Sequence, residues 1–473
     1  MWIYSVALTA GVTGWTVLTA VFPSSLAVVS FLHRRAARRR FMASLALCAV
    51  CYTAGAMSLA RFETGHRYVR SWAARQAGST LTLEGRVASF PSHHPGSVRF
   101  AFDTRIGGRP VTLLASVAAF EIGFGDSLSL TGTLSGGRID RRGYLHSRGA
   151  AGYVRAAPGK VRLLKPGSGL VGLPAGWAWN AHESIRRRLA SGLGARCGLP
   201  MALSIGDRGR LPRSLKSALA RAGVSHLLAL SGMHLGMVAA SVLALCRLAG
   251  RRGNAALLAV LAVYVLVVGR VVSLYRAYAL AAVLVASSKV ERRVNLVHGL
   301  GVATFVLLAA QPRLARSVAF QLSFAATFGV LVVVARLPRP ARGGRARRAA
   351  ARAVGALAVG VGAQLFLLPL QLRYFGGVTP VTPLATLLLL PPVAGVMVLT
   401  AITLVVDFAL PSLSLFCFGV LGHYTGVLER AIVVVSGALP APIHLPEPNL
   451  VVYYAVLAGC LKIFDAALRR PVL

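Results

Sequence analysis

Acidic residues are scarce in this sequence. Asp and Glu together number 13 against 52 Lys and Arg, which gives a formal net charge of +39 over 473 residues. Charged residues of either sign make up only 14% of the chain, whereas hydrophobic residues make up 56%. A soluble domain carries about 25% charged residues. This composition therefore excludes a soluble domain and indicates a membrane protein with several apolar spans.

The excess of positive charge has two candidate causes. Any multi-span membrane protein carries basic loops on its cytoplasmic face. Arginine supplies most of the basic side chains here, and it also binds the phosphate groups of nucleic acids and anionic lipids. We assign most of the loop charge to the first cause and keep a polyanionic partner as the second.

The sequence also has few groups that could hold a metal or form cross-links. Its six cysteines lie mostly in apolar segments, without paired CxxC units or a histidine cluster, and no GxxxxGK[ST] loop occurs. His226 and His234 could in principle bind a metal with Asp207, but hydrogen bonding or phosphate contact explains these histidines as well. We therefore expect no metal, no cofactor and no catalytic residues. The apolar run after Met1 lacks a basic segment, so no cleavable signal is expected.

The hydropathy pattern divides the chain into four regions. These are N-terminal membrane helices, an external β domain, interfacial amphipathic helices and a membrane channel domain, at 1–60, 61–166, 167–222 and 223–473. Phe22-Pro23-Ser24 interrupts the first apolar run, so 3–32 forms either two short helices or one kinked helix. If 41–60 runs outward, every strongly basic loop falls on the cytoplasmic face and the β domain lies outside.

Residues 61–166 alternate apolar and polar side chains with a period of two, interrupted by Gly and Pro. Five short strands of this kind predict a small closed barrel of the OB type, whose grooves often hold single-stranded nucleic acid. Two interpretations stay open: either Phe100 and Phe102 fill the barrel and the arginines form ordinary solvated surface, or the basic surface contacts DNA. The candidate DNA contacts are Arg99, Arg105, Arg141, Arg142 and Tyr144.

An amphipathic helix is predicted at 174–196, with Trp177 and Trp179 on one side, lying in the membrane interface. A second short one follows at 211–222. Beyond these, apolar spans recur to the end of the chain, near 253–269, 271–287, 294–310, 318–335, 353–372, 381–406, 411–436 and 450–468. The fold class predicted is an α-helical polytopic membrane protein with broken helices and a small external OB-like barrel.

The segment Ala222–Ala240 is apolar and rich in small residues, but Ser231-Gly232 interrupts it. Gly is a poor residue inside a helix and Ser is a good N-cap. The sequence therefore predicts one half-helix ending at Leu227–Leu230 and a second running from Gly232 to about Leu248. The start of a helix inside a membrane attracts anions, and irregular backbone survives there only beside a cavity or inside protein. We expect an aqueous path beside His234.

Polar side chains inside the predicted spans are few. Because they are costly there, they are functional candidates by default, with helix–helix hydrogen bonds as the alternative. A charge inside a span needs a partner or water, and an Asp207–Arg276 pair would supply one. The other candidates are Ser273, Gln321, Ser323 and Gln364.

The run from 202 to 240, ALSIGDRGRLPRSLKSALARAGVSHLLALSGMHLGMVAA, closely resembles the signature of the ComEC-type competence proteins. The SLYRA, FQLSF and LPLQLRYFGG segments follow in the order of that family, so the resemblance covers 1–470. It implies a channel that passes one strand of transforming DNA across the bacterial inner membrane. It also implies which residues line or brace the DNA path: Asp207, His226, Ser231, Gly232, His234, Ser273, Arg276, Gln321 and Ser323, to which we add Gln364.

The sequence departs from the family in two places. Many members carry a metallo-β-lactamase-like domain with an HxHxDH zinc motif, and the histidines here never adopt that spacing. We therefore expect no zinc hydrolysis. Thr386 stands about where the family's last channel segment has an asparagine.

The leading hypothesis is a DNA-uptake channel rather than an enzyme. The resemblance implies single-stranded DNA, membrane lipid, a cytoplasmic ATPase or helicase and external DNA-receptor proteins as partners, and it leaves monomer and homodimer open. Because the broken helix suits any anion, transport of another anionic polymer or lipid-linked substrate is one alternative. A membrane scaffold that transports nothing is the other.

Overall fold

The structure is a computed structural model. It describes residues 71–468 except for several short gaps, at 73–74, 77, 119, 136–149, 151, 168–173, 249–252, 270, 290–295, 312–313, 316, 338–343 and 440–441. Some of the sequence predictions lie outside the described residues. They are the N-terminal helices at 1–60 and three candidate DNA contacts, Arg141, Arg142 and Tyr144.

Six strands form one sheet that closes on itself. They are β1 (Thr80–Val87), β2 (Ser92–His94), β3 (Ser97–Ile106), β4 (Arg109–Ala118), β5 (Ser127–Ser135) and β6 (Tyr153–Lys165). Five of them close a barrel in the order β1-β5-β6-β4-β3-β1, with β4 and β6 parallel, and β2 extends the sheet beside β3. The predicted OB-like barrel is confirmed. Strand β2 was not predicted, since three residues are too few to show alternation.

The barrel interior is filled by the side chains of alternate strand positions. Phe100 and Phe102 on β3 are 2% and 0% exposed, so both belong to the core. Two glycines allow the strands to cross closely: a Cβ on Gly85 would lie 2.3 Å from the Asp103 carbonyl oxygen, and one on Gly132 would lie 2.5 Å from that of Arg155. A side chain at either position would push neighbouring strands apart.

Twelve α-helices are described after the barrel. They are α1 (Pro174–Leu193), α2 (Gly198–Ser204), α3 (Arg213–Arg221), α4 (Gly232–Leu248), α5 (Asn254–Val268), α6 (Val272–Lys289), α7 (Leu296–Ala310), α8 (Val318–Val334), α9 (Arg345–Phe375), α10 (Thr382–Ala409), α11 (Pro411–Gly437) and α12 (Leu450–Leu468). Each apolar span predicted from the sequence corresponds to one of the helices α5–α12.

Three described helices are long and apolar enough to cross a membrane: α9 with 31 residues, α10 with 28 and α11 with 27. About 20 helical residues suffice to cross the hydrocarbon core. Large apolar side chains on these helices are exposed, among them Phe408 at 83% and Leu415 at 82%. Exposed apolar surface of this extent is typical of a face that contacts lipid. The chain is a membrane protein.

Two apolar cores hold the helices together. One joins α2 and α3 to α11 through side chains such as Leu203, Leu219 and Leu421. The other joins α4 to α5 through Leu235 and Leu261, and it also includes residues of α6. The link between α3 and α4, which carries the predicted break, therefore runs from the first core to the second.

One prediction about α1 is wrong. Trp177 is 50% exposed, whereas Trp179 packs on Phe90 with ring centroids 5.3 Å apart, so the two tryptophans do not share a side of the helix. Residues two positions apart on an α-helix point in nearly opposite directions because each residue turns the helix by about 100°. Trp179 belongs to the contact between α1 and the barrel.

Pro369 interrupts the hydrogen-bond ladder of α9. Proline has no N–H to donate to the carbonyl four residues earlier, which is that of Leu365. The Tyr453 hydroxyl on α12 donates to the Leu365 carbonyl at 2.9 Å, and the Tyr454 hydroxyl donates to the Phe366 carbonyl at 2.8 Å. Helix α12 therefore fastens α9 at the point where its own ladder is incomplete.

The two tyrosines give a matched pair of substitutions. Tyr453→Phe leaves the Leu365 carbonyl without a donor and is expected to lower the free energy of unfolding by about 1 kcal/mol. Tyr454→Phe should lower the free energy of unfolding by less. The Phe366 carbonyl lies four residues before Leu370, so the Leu370 N–H can still donate to it. Thermal unfolding in detergent measures both, and equal melting temperatures for the two variants would contradict this account.

Candidate functional site at the interrupted segment

The chain between α3 and α4 is irregular, as the sequence predicts. Helix α3 ends before Gly223, whose φ of 71° is left-handed, and a 3-10 turn at Ser225–Leu228 follows. Ala229 is extended, with φ −76° and ψ 121°, and α4 begins at Gly232. The predicted second half-helix is confirmed. The predicted first half-helix is wrong, since four residues of 3-10 turn take its place.

Ser231 caps the start of α4. Its Oγ accepts a hydrogen bond from the Met233 N–H at 3.3 Å and lies 3.1 Å from His234 Nδ1. His234 Nδ1 also accepts from the Ser231 N–H at 3.2 Å. A ring nitrogen that accepts from a backbone N–H carries no proton, so the imidazole proton of neutral His234 is on Nε2.

His234 Nε2 has no hydrogen-bond partner among the described residues, and the side chain is 0% exposed. Burial of an unpaired donor costs about 1 to 3 kcal/mol. Such a group in a native structure calls for an explanation, and an acceptor that binds there in another state is one. The N–H of His234 therefore suits a phosphate oxygen or a water molecule.

Two side chains of α6 complete the surroundings of the break. Ser273 Oγ donates a hydrogen bond to the Leu230 carbonyl, which lies outside the helical ladder. Arg276 Nη1 donates to the Ser323 carbonyl on α8, which also accepts from the Thr327 hydroxyl at 2.9 Å. The break is thus tied to α6 by Ser273, and α6 is tied to α8 by Arg276.

Arg276 lies beside the first turn of α4. It is 8% exposed, its guanidinium carbon is 5.8 Å from the centroid of the Phe324 ring, and a Cβ on Gly232 would lie 3.4 Å from its Nη2. The predicted Asp207–Arg276 pair is wrong, because Arg276 bonds a carbonyl instead. A guanidinium and the positive end of a helix dipole therefore face the same place, which favours an anion.

The predicted aqueous path is not open at this point in the structure. His234 is fully buried and Arg276 nearly so. A shallow apolar depression lies on α11 instead, lined by Phe416, Gly419, Val420, His423, Tyr424 and Val427. It shares no lining residue with the predicted path, so a passage beside His234 stays a prediction.

Comparison with known proteins shows to which family the chain belongs. A family model described as "Competence protein" matches residues 203–468, which is more than half of the chain. The chain belongs to the competence protein family. The match begins before Asp207 and includes the break, Arg276 and Gln364, so every predicted path residue lies within the competence region. The barrel lies before it.

A curated relative agrees with this family. The chain is 34% identical over 138 residues to ComE operon protein 3 of Bacillus subtilis (strain 168). The aligned part is 28% of this chain and 18% of that protein, so the chain spans less than a fifth of its relative's length. No solved structure matches this chain.

In this member of the competence family, Asp207 does not lie at the break. It is 6% exposed, and its Oδ1 accepts from the Ser92 hydroxyl of β2 at 3.2 Å and from the Gly209 N–H at 2.9 Å. A Cβ on Gly209 would lie 1.7 Å from the His93 carbonyl oxygen, so β2 and the Asp207 loop touch through their backbones. We call this contact the barrel junction: Ser92–His94 against 207–210.

Aromatic side chains extend the barrel junction toward α1. Phe90 packs on Phe124 at 5.3 Å, on Trp179 at 5.3 Å and on His182 at 5.1 Å, measured between ring centroids. Burial, followed by the nearby charge of Arg186, lowers the pKa of His93 below its ordinary value. His93 is therefore neutral at pH 7.

Gln321 bonds another helix, whereas Gln364 bonds a residue of its own helix. Gln321 is 2% exposed, donates to the Ala315 carbonyl at 2.8 Å and accepts from the Tyr374 hydroxyl of α9 at 2.5 Å. Gln364 donates to Gln371 at 2.8 Å within α9. The Gln321 contact braces α8 against α9, and both amides have protein partners without a ligand.

His226 lies near α10. Its Nδ1 is 3.3 Å from the Gly223 carbonyl oxygen and its Nε2 is 3.5 Å from Thr386 Oγ1. Thr386, at which this sequence departs from the family, therefore contacts the predicted path residue His226. The structure groups the ten predicted path residues in four places: the break with α6 and α8, the barrel junction, the His226–Thr386 contact, and the α8–α9 amides.

Sequence reasoning missed the barrel junction. It treated Asp207 as a path residue and gave Ser92 and Gly209 no role. The signal was present in Gly206-Asp207-Arg208-Gly209, because two glycines around an acid indicate a close backbone approach. Its partner strand gave no such signal.

Two serines on α6 test the contact at the break. Ser273→Ala leaves the buried Leu230 carbonyl without a donor and should lower the free energy of unfolding by about 1 to 3 kcal/mol. Ser287→Ala is the control, because the Ser287 hydroxyl bonds the Leu284 carbonyl at an exposed position, at 2.7 Å. This substitution should change the free energy of unfolding by less than about 0.5 kcal/mol. Denaturation in detergent that shows equal effects would refute the assignment of Ser273.

Proposed function

We propose that this chain forms the membrane channel through which one strand of DNA enters a bacterial cell during competence. Membership of the competence family supports a role in DNA uptake. The observation that carries the channel is the meeting of the α4 N-terminus with Arg276, whose Nη2 lies 3.4 Å from the Cβ position of Gly232. DNA is a polyanion, and this place is positive.

Arg276 and His234 at the break can bind a phosphate group. Among the described residues, Arg276 has a carbonyl partner and no carboxylate within salt-bridge distance, so its positive charge is not neutralised. His234 adds an unpaired N–H in the first turn of the same helix. Phosphate binding by a helix N-terminus, a guanidinium and a neutral imidazole uses three recognised kinds of donor.

The closed break implies that the channel opens to conduct. Arg276 and Ser273 reach backbone carbonyls, and a phosphate can replace a carbonyl as the acceptor of a guanidinium. We propose that an entering strand takes over the Arg276 hydrogen bond from Ser323, which separates α6 from α8. The structure then represents the resting state.

The rest of the molecule has supporting roles in this proposal. The barrel lies outside the bacterial inner membrane and gathers single-stranded DNA, as OB-type barrels do. Gln321 and Gln364 brace the wall, and a cytoplasmic ATPase or helicase supplies the pull. The chain transports DNA and does not cleave it.

Substitutions at the break test the channel. His234→Ala and Arg276→Gln should each lower transformation by about tenfold to a hundredfold, because loss of a hydrogen bond to a charged group costs about 1.5 to 3 kcal/mol. Arg196→Gln is the matched control, since Arg196 also bonds a helix carbonyl, that of Gly422 at 3.2 Å, but lies away from the break. It should transform like the parent.

The measurement is transformation frequency with membrane abundance of each variant determined by immunoblot. Normal transformation by both break variants at normal abundance would remove the site assignment. A deletion strain separates the alternatives: loss of DNA uptake without an envelope defect supports the DNA channel. An envelope defect with normal uptake points to another anionic polymer.

A further inference from the structure

Four basic side chains from two parts of the chain lie beside the barrel junction. They are Arg99 on β3 and Arg208, Arg213 and Lys216 on the Asp207 loop and α3. Arg99 pairs with Ser92 in the β2–β3 ladder, and the Ser92 hydroxyl bonds Asp207, which directly precedes Arg208. We call these four residues the junction cluster.

The spacing of the basic residues on α3 places them on one face of the helix. Arg213 is the first residue of α3 and Lys216 follows three positions later, so both lie on one helix face. Leu215 and Leu219 point to the core on another face, at 1% exposure each. Arg99, Arg208 and Arg213 are exposed and Lys216 is half-buried. The cluster therefore presents its charges to solvent.

Three of the four basic side chains of the junction cluster have no carboxylate partner among the described residues. Burial lowers the pKa of Lys216, and Arg208 and Arg99 lower it further, whereas Asp207 raises it. A like charge close to a lysine disfavours its charged form, so Arg208 and Arg99 lie near Lys216. Arg99, Arg213 and Lys216 have no carboxylate within 4.0 Å in the described part of the chain.

An acid near His93 of the barrel junction is already paired. Glu183 on α1 accepts from Arg186 at 2.6 Å and from Arg187 at 2.7 Å. Its charge is already shared between two arginines. Asp207 is the carboxylate that acts on Lys216, and its Oδ2 is buried without a hydrogen-bond partner among the described residues.

Arg208 connects the junction cluster with the break. It lies close enough to His234 to act on that side chain electrostatically, and it acts on Lys216 in the same way. Hydrogen-bond donors therefore follow one another from the barrel wall to the start of α4: the cations Arg99, Lys216 and Arg208, then the neutral imidazole of His234 and the cation Arg276.

We propose that the junction cluster binds the phosphodiester backbone of single-stranded DNA. The bound strand then passes from the barrel to the break. This proposal rests on the proposed function and adds an entry site that both parts of the chain build. A nucleic-acid strand fits better than a lipid headgroup because Arg99 belongs to the wall of an OB-type barrel. Asp207 fastens β2 to the loop that leads into α3 through its bond with the Ser92 hydroxyl.

The test compares two double variants of the full chain in nanodiscs of zwitterionic lipid. Arg99→Gln with Lys216→Gln removes two charges from the junction cluster. Lys160→Gln with Arg162→Gln removes two exposed charges from β6. Arg155 pairs with Ser116, which is itself the partner of Arg99. Arg162 pairs with Ser129 on β5, four residues from Thr133, the partner of Arg155, so it lies about 13 Å farther along the sheet.

The measurement is fluorescence anisotropy of an oligothymidylate of about 30 nucleotides across a range of salt concentrations. The junction variant should bind about tenfold more weakly at about 150 mM salt, and its salt slope should fall by about 1.4, because each single-strand phosphate contact contributes about 0.7. The β6 variant should change affinity by less than about threefold. Melting temperatures control for folding.

Each other outcome decides against one of the two proposals. Equal losses in both double variants would mean that net charge alone matters and would overturn the junction site. Unchanged binding by the junction variant would overturn it too, while the DNA channel would stand. If the parent binds inorganic polyphosphate or anionic nanodiscs but not the oligonucleotide, the proposed DNA function fails. The junction variant then shows whether the cluster still binds phosphate.

Discussion

The interruption of the chain at Ser231–Gly232 sets the requirements that the surrounding residues meet. A helix that begins inside apolar surroundings leaves backbone groups without partners, and each costs free energy unless another group supplies one. The Ser231 hydroxyl accepts from one N–H of α4, Ser273 donates to the Leu230 carbonyl, and the Arg276 guanidinium lies beside Gly232. Helices α4, α6 and α8 are held together by these polar contacts.

Much of the fold follows from one-dimensional patterns. Period-two alternation located all five barrel strands, and apolar runs located α5 to α12 to within a few residues, except for the N-terminal extension of α9 to Arg345. That extension is rich in arginine, so hydropathy alone could not show it. The predicted closed barrel of five short strands is confirmed.

The arrangement of the polar residues was harder to predict. The predicted pair of Asp207 and Arg276 considered charge alone. In the structure, Asp207 accepts hydrogen bonds from a hydroxyl and a backbone N–H, whereas Arg276 donates to a backbone carbonyl. Backbone acceptors do not appear in a sequence as candidates. The two tryptophans of α1 show a similar limit, since their directions depend on helical phase rather than on shared residue type.

The contact between Gly209 and His93 has a mechanical consequence. A Cβ at residue 209 would lie 1.7 Å from the His93 carbonyl oxygen, so two main chains meet there without a cushion of side chains. Side chains can change rotamer and absorb a displacement, but main chains cannot. A displacement of the barrel is therefore passed directly to the loop that leads into α3, because no side chain lies between the two main chains to absorb it.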